Sequence, residues 1–252
     1  MIDCKSARQI GLMRQAGKIV AGALRLAREL AVSDVTTDHI DTEIEKYIRK
    51  NHGIPIFKGY RGYPRSTCTS INEEVVHGIP SSSRKLKKGD ILSIDVGVEY
   101  KKYMADGAIT VPIGEVSLEA KKLIEVCEEA LKKGIEIIRP GILLSQVAGR
   151  IQKYVESNGY SVVRDYAGHG IGRCMHEDPQ VPNYVSEELL ANDVILYPGT
   201  TLAIEPMICM GSGETEVLEN KWTVVTKDRK LSAHFEYTVV VTETGVEILT
   251  VE

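Results

Sequence analysis

Ile91-Leu92-Ser93-Ile94-Asp95-Val96-Gly97-Val98 is a largely apolar, β-branched run that follows Lys88-Gly89-Asp90 and carries one acid at its centre. Such a run reads as a buried strand. An isolated ionised carboxylate inside it would protonate, pair or bind a metal, because burying an uncompensated charge is costly. Asp106 opens a second extended run, Gly107-Ala108-Ile109-Thr110-Val111, so the two aspartates are expected to face each other across a hairpin. Farther along, Glu205 lies in Thr201-Leu202-Ala203-Ile204-Glu205-Pro206-Met207, read as an acid inside an apolar strand, and Glu236 repeats the pattern in Phe235-Glu236-Tyr237-Thr238-Val239-Val240-Val241. Any one of these acids could be half of a structural ion pair. Four such cases favour a shared cation.

His169 supplies the remaining ligand type. It lies with His176 in Gly168-His169-Gly170-Ile171-Gly172-Arg173-Cys174-Met175-His176-Glu177-Asp178-Pro179, a glycine-dense loop whose backbone can approach a ligand closely. The spacing excludes the helical HExxH site, and no GxGxxG or GK[ST] phosphate motif occurs. Asp95, Asp106, His169, Glu205 and Glu236 together form an oxygen-rich set with one imidazole, which suits two divalent cations. Carboxylates bridge readily, and the imidazole shifts preference toward Mn, Fe, Co or Zn over Mg or Ca. Paired metals about 3.5–4 Å apart serve metal-assisted hydrolysis.

Apolar positions at Ile10, Met13, Ile19, Val20, Ala23 and Leu24 predict an amphipathic helix near residues 5–30, and a second is predicted from Thr37 to Asn51. Ser117 is placed as the cap of a third, running to about Ile138 before Pro140-Gly141, and Ser145 to Asn158 forms the fourth. Strand-like runs dominate Thr67 to Ile79, Ile91 to Val111, and Leu202 onward. No linker interrupts them, so residues 1–252 are read as one domain. A net charge of -4 and a pI near 5.9 give no general drive toward nucleic acid. The basic run Arg84-Lys85-Leu86-Lys87-Lys88 reads as a solvated turn, with contact to ribosomal RNA as its functional alternative. Five cysteines without a CxxC pair argue against a disulfide framework or structural zinc and fit a reducing cytoplasm. The N-terminus lacks the form of a signal peptide, no run approaches a membrane span, and a monomer is expected.

These residues carry a resemblance. The segments Gly62 to Pro80, Gly89-Asp90-Ile91 running into Asp95, Gly168 to Pro179, Ile204-Glu205-Pro206-Met207, and Trp222-Thr223 followed by Ser232-Ala233-His234-Phe235-Glu236 keep the order found in type I methionine aminopeptidases of the short bacterial kind, in peptidase family M24. The resemblance implies an α/β (α+β) pita-bread fold with a pseudo-twofold internal repeat, its halves meeting at about residues 115 and 116. A shift of 107 positions supports it, bringing Ala23-Leu24 onto Ala130-Leu131, Glu29 onto Glu136, Lys46-Tyr47 onto Lys153-Tyr154 and Asn51 onto Asn158. The metal site would then lie between the halves, where pockets commonly form.

The resemblance further implies removal of N-terminal methionine from nascent polypeptides whose second residue is small. Asp106 and Glu236 would bridge two metals, Asp95 would complete one coordination shell, and His169 with Glu205 the other. Glu205 would also shuttle the proton of the attacking water, while His77 and His176 contact the substrate and His234 packs beside Glu236. Phe57, Tyr60, Tyr63, Cys68, Met175 and Trp222 match the residues that enclose the methionine side chain. Three places depart from the family's usual pattern: Ala105-Asp106-Gly107 stands in place of Gly-Asp-Ala or Gly-Asp-Thr, Tyr237 in place of His, and Cys174 lies inside the histidine loop. The alternatives are an Xaa-Pro dipeptidase of the same fold, which normally carries an additional N-terminal domain for which this chain has no room, and a peptide-binding module without catalysis.

Overall fold

The structure, a computed structural model, describes residues 2–251. Four long helices form where apolar side chains recur every three or four positions. α1 (Ala7–Leu30) begins at a capping box: Ser6 Oγ accepts from Gln9 N, and Gln9 Oε1 accepts from Ser6 N. The Thr36 hydroxyl caps α2 (Thr37–Lys50), and Ser117 caps α3 (Leu118–Glu136) as expected. α4 (Leu144–Ser157) starts one residue before the expected Ser145, with Gln146 Oε1 accepting from Leu143 N at its entry. The same shift of 107 that aligns the sequences carries the bounds of α2 onto those of α4, from Thr37 to Leu144 and from Lys50 to Ser157.

Nine strands form one sheet: β1 (Ile54–Pro55), β2 (Cys68–Ile71), β3 (Ile91–Tyr100), β4 (Tyr103–Pro112), β5 (Gly168–Gly170), β6 (Glu177–Val181), β7 (Thr201–Ile204), β8 (Glu236–Val241) and β9 (Val246–Ile248). Their spatial order is β1-β3-β4-β8-β7-β5-β6, with β2 beside β3 and β9 beside β8, and every pairing is antiparallel. α1 lies against β3 and β4, and α3 packs on α4. The main core, including Val20, Ile44, Ile94, Leu123, Ile151 and Val239, fills the space between helices and sheet without exposure. Each such aliphatic side chain contributes about 1.5–3 kcal/mol through burial.

Two expectations about the strands are corrected. Asp95 stands opposite Ala108 and Asp106 opposite Gly97, so the two aspartates are diagonal neighbours on one face rather than directly opposed. The register is set by a two-residue turn at Lys101-Lys102, both left-handed with φ of 50° and 69°. Glu205 lies outside a strand: β7 ends at Ile204, and Met207–Cys209 pairs instead with Ser161–Val162 and Ser232–His234 in a separate three-stranded sheet. Pro206 lacks the N–H that would continue the ladder. The glycine-dense loop likewise contains β5, followed by an irregular bend at 171–176.

β4 and β8 join with two residue pairs, Glu236 with Ala108 and Tyr237 with Gly107. On either side of them a threonine hydroxyl takes the place of the direct backbone bonds. Thr238 Oγ1 accepts from Asp106 N at 2.9 Å and donates to Asp106 O at 2.8 Å. Thr110 Oγ1 does the same with His234 N and His234 O, at 2.9 and 2.8 Å.

Candidate active site

Because paired residues in a sheet share a face, the register determines which side chains converge. Asp95 is level with Ala108, Ala108 with Glu236, and Asp106 with Gly97, while His169 is level with Ala203, which is level with Thr238. Asp95, Asp106, Glu236 and His169 therefore project from one face of β3, β4, β8 and β5, with β7 between the last two, and Glu205 follows Ala203 of β7 by two positions. The residues between them on that face, Gly97, Ala108 and Ala203, are small and leave space in front of the sheet. A Cβ on Gly97 would come within 2.5 Å of Ile56 and 2.7 Å of Phe57, so this position admits only glycine without movement of the pocket wall.

Asp106, His169 and Glu236 are buried, and each offers a ligand atom within 4.8 Å of the others. Asp95 and Glu205 line the same cavity but fall outside that triplet. Asp95 Oδ1 and Glu236 Oε1 are shut off from solvent without a hydrogen-bond partner. Burial, then the charges of Asp106 and Glu205, raise the Asp95 and Glu236 carboxyls well above the usual range, and burial raises Asp106 to about 6 despite the favourable nearby His169. Crowded acids with unsatisfied oxygens and one imidazole fit a divalent cation, which would replace the protons they otherwise retain.

A cavity of about 200 Å³ opens over this cluster, and all thirteen residues expected at the site line it. Phe57, Tyr63, Cys68 and Met175 form a buried apolar cluster of their own, with Tyr60 and Trp222 packed at its edge. Trp222 meets Tyr63 edge-on with ring centroids 5.0 Å apart. Burial and the charge of Asp95 push the Cys68 thiol well up, so it packs as a neutral group. His77 occupies a left-handed backbone position, φ 59°, and burial lowers its pKa. His176 stands at the exposed rim, its ring centroid 4.3 Å from that of His169. Desolvation by the cavity walls, then His169, lowers it to about 4. Its Nδ1 lies 2.8 Å from Tyr60 Oη, so a phenol proton donated there leaves the imidazole hydrogen on Nε2.

One residue at the site has a role beyond the packing expected of it, and one was not named from the sequence at all. His234 Nε2 lies 3.3 Å from Glu205 Oε2, and His169 Nε2 3.7 Å from Glu205 Oε1, so His234 attends the proposed base as well as packing near Glu236. Arg61, in a short turn with φ 47°, lines the same cavity with its guanidinium 5.4 Å from the Tyr60 ring. Its place between Tyr60 and Tyr63, both matched to the pocket, was the available signal.

Carboxylates and an imidazole on one sheet face, closed by an apolar pocket, define a metal-dependent hydrolase site. The sequence pattern of Metallopeptidase family M24 matches residues 11–243, and the chain belongs to that family. It is 48% identical over 250 residues to methionine aminopeptidase 1 of Bacillus subtilis, covering 99% of both chains. The crystal structure of a methionine aminopeptidase from Thermotoga maritima superposes with a TM-score of 0.97 at 46% identity, covering 100% of both. A prolidase from Pyrococcus horikoshii shares the fold, with a TM-score of 0.77 at 23% identity, and this chain covers 64% of it.

Proposed function

We propose that this chain is a methionyl aminopeptidase, releasing N-terminal methionine from polypeptides whose second residue is small. The observation that carries the reading is a single cavity with an acid and imidazole cluster at one end and an aromatic and sulfur pocket at the other. A thioether packs well against aromatic rings and sulfur. Phe57, Tyr63, Cys68, Met175 and Trp222 hold the methionine side chain, with Tyr60 at the rim.

Two divalent ions, from among Mn, Fe, Co and Zn, would be held by Asp95, Asp106, His169, Glu205 and Glu236. When bound they supply Lewis-acid polarisation of the scissile carbonyl and acidify a water for attack. The protein's own groups do the rest. Glu205 accepts the proton of the attacking water and returns it to the leaving amine, with His234 Nε2 3.3 Å from its second oxygen. His176, neutral and fixed by Tyr60, donates from Nε2 to the carbonyl oxygen as charge develops there, a contact worth about 3–4 kcal/mol. His77 holds the peptide alongside. Residues 1–252 act as one catalytic unit, a reading supported by the continuous sheet that β4 and β8 join.

Nascent chains are the substrates, in the cytoplasm, and the enzyme works as a monomer. Among the described residues no helix is long and apolar enough to cross a membrane. The ribosome is a candidate partner through Arg84 to Lys88, although Glu74 engages Arg84 and Glu115 engages Lys88. The deciding assay adds Mn, Fe, Co, Zn or Mg to stripped protein and follows cleavage of Met-Gly-Ser, Met-Leu-Ser and Xaa-Pro peptides. Metal-dependent release from Met-Gly-Ser alone is expected. Cleavage of the Xaa-Pro peptide would assign a prolidase-like activity, and inactivity despite metal binding would favour a peptide-binding role.

A further inference from the structure

The segment 171–176 carries Met175 and His176 into the cavity wall but belongs to no strand or helix. Beside the bond that Met104 N donates to Gly172 O at 2.8 Å, its hold on the protein comes from a part-buried carboxylate. Glu177 Oε1 accepts from Arg173 N at 2.7 Å and Cys174 N at 3.0 Å, clasping the bend from within. The other oxygen, Oε2, lies 2.7 Å from Lys5 Nζ. The Lys5 side chain is 1% exposed and also bonds Asp3 through Oδ2 and the backbone carbonyl, at 2.8 and 3.0 Å. The main chain of Lys5 is fixed in turn by its N–H to Gly199 O at 2.7 Å. Gly172 leaves the room this requires, since a Cβ there would come within 2.3 Å of Lys5 Cε.

We infer that Lys5 is a positioning residue for the reaction, acting through Glu177 to set the bend that presents His176 to the scissile carbonyl. A buried ammonium with one carboxylate on the bend and another on its own segment fixes both in a single geometry. Its removal leaves Glu177 part-buried without its cation, free to turn outward and release the Arg173 and Cys174 amides. The methionine pocket loses only the Met175 wall, which rides on the bend, because Phe57, Tyr63, Cys68 and Trp222 come from elsewhere. The defect therefore falls on turnover more than on binding.

The kinetic part of this inference rests on the proposed peptidase activity, so the test includes a readout independent of it. In the full-length chain, Lys5→Met should lower kcat on Met-Gly-Ser at least tenfold while KM stays within about threefold. The Arg173 and Cys174 amides should exchange at least tenfold faster, whether or not the enzyme is active. Lys5→Arg should restore most of both. Glu177→Gln, which interrupts the same bridge from the other side, serves if Lys5→Met does not fold, and the double variant should be no worse than the poorer single. Arg14→Met removes the α1 bridge to Glu247 away from the bend and should cost stability without lowering kcat. Unchanged amide exchange in Lys5→Met, kcat within twofold of an active parent, or additive losses in the double variant would overturn the inference. An inactive parent would instead refute the peptidase reading and leave the exchange result to decide the role of Lys5.

Discussion

Protein stripped of divalent cations should lose stability as pH rises, and Asp106→Asn should remove much of that loss. Asp106 and Glu236 offer oxygens no more than 4.8 Å apart. Two full charges at that distance repel by about 3.5 kcal/mol at an effective dielectric constant of 20. Burial first, with the charge of Glu205 adding to it, raises Asp106 from 3.8 to about 6 on folding, and burial with the neighbouring acids raises Asp95 and Glu236 too. Between the unfolded and folded values the native chain binds more protons than the unfolded one, so stability falls as pH rises through that window. The shift of Asp106 alone corresponds to about 3 kcal/mol, absent below pH 4 and complete above pH 7. Asn keeps the shape, and its carbonyl oxygen can still accept from Gly107 N, as Asp106 Oδ1 does at 3.0 Å. Denaturant unfolding in EDTA at several pH values between 4.5 and 8 should show Asp106→Asn gaining on the parent, by about 3 kcal/mol at the alkaline end. Adding Mn should reverse the order, since only the parent keeps the full ligand set. Parallel stability curves in EDTA, or a variant less stable than the parent at pH 8, would refute the reasoning.

Three further substitutions probe other parts of the structure. Asp41 Oδ1 accepts from Ser66 N, Thr67 N and Thr67 Oγ1 within 3.0 Å, just before Cys68. Asp41→Ala should cost about 2–4 kcal/mol of unfolding free energy by stranding those donors, measured by denaturant melts. Trp222→Ala removes the edge contacts to Tyr63 and His77, and should raise KM for Met-Gly-Ser about tenfold, the size of one aromatic contact, with kcat nearly unchanged. A Cβ on Gly107 would lie 3.0 Å from Val20 Cγ1. Gly107→Ala should therefore cost about 1 kcal/mol by crowding, visible as a lower Tm with activity retained.

The helices were legible because their apolar period and capping hydroxyls are local signals, with Ser117 the expected cap and Thr37 the expected first residue of α2. The acids were legible for a different reason: each interrupts an apolar run that has no use for charge. What could not be read was how the runs register. The hairpin turn at Lys101-Lys102 lacks the Asn-Gly or Asp-Gly signature of its type, so the two-residue offset between Asp95 and Asp106 was hidden. Glu205 reads as a strand residue because apolar Ile204 precedes it and Met207 follows two positions on, whereas the chain changes sheets at Pro206. His234 and Arg61 needed three-dimensional proximity, one to a residue 29 positions away and the other to a ring beside it in sequence.

Gly107 shows how a departure from a family's usual residue can be absorbed. The side of the sheet opposite the acids faces α1, where Val20 takes up the volume that an alanine or threonine side chain would occupy.

The threonine hydroxyls between β4 and β8 make that junction stitched rather than welded. A hydrogen bond between two backbone groups of a ladder parts only when the strands move apart, but a hydroxyl can rotate away from its partners while its strand stays in place. Fraying should begin at Thr110 and Thr238, placing the first ingress of water beside Asp106 and Glu236. An ion clasped by those two acids would then act as a rivet across the weakest stitch, so demetallation and the parting of the strands should be one event.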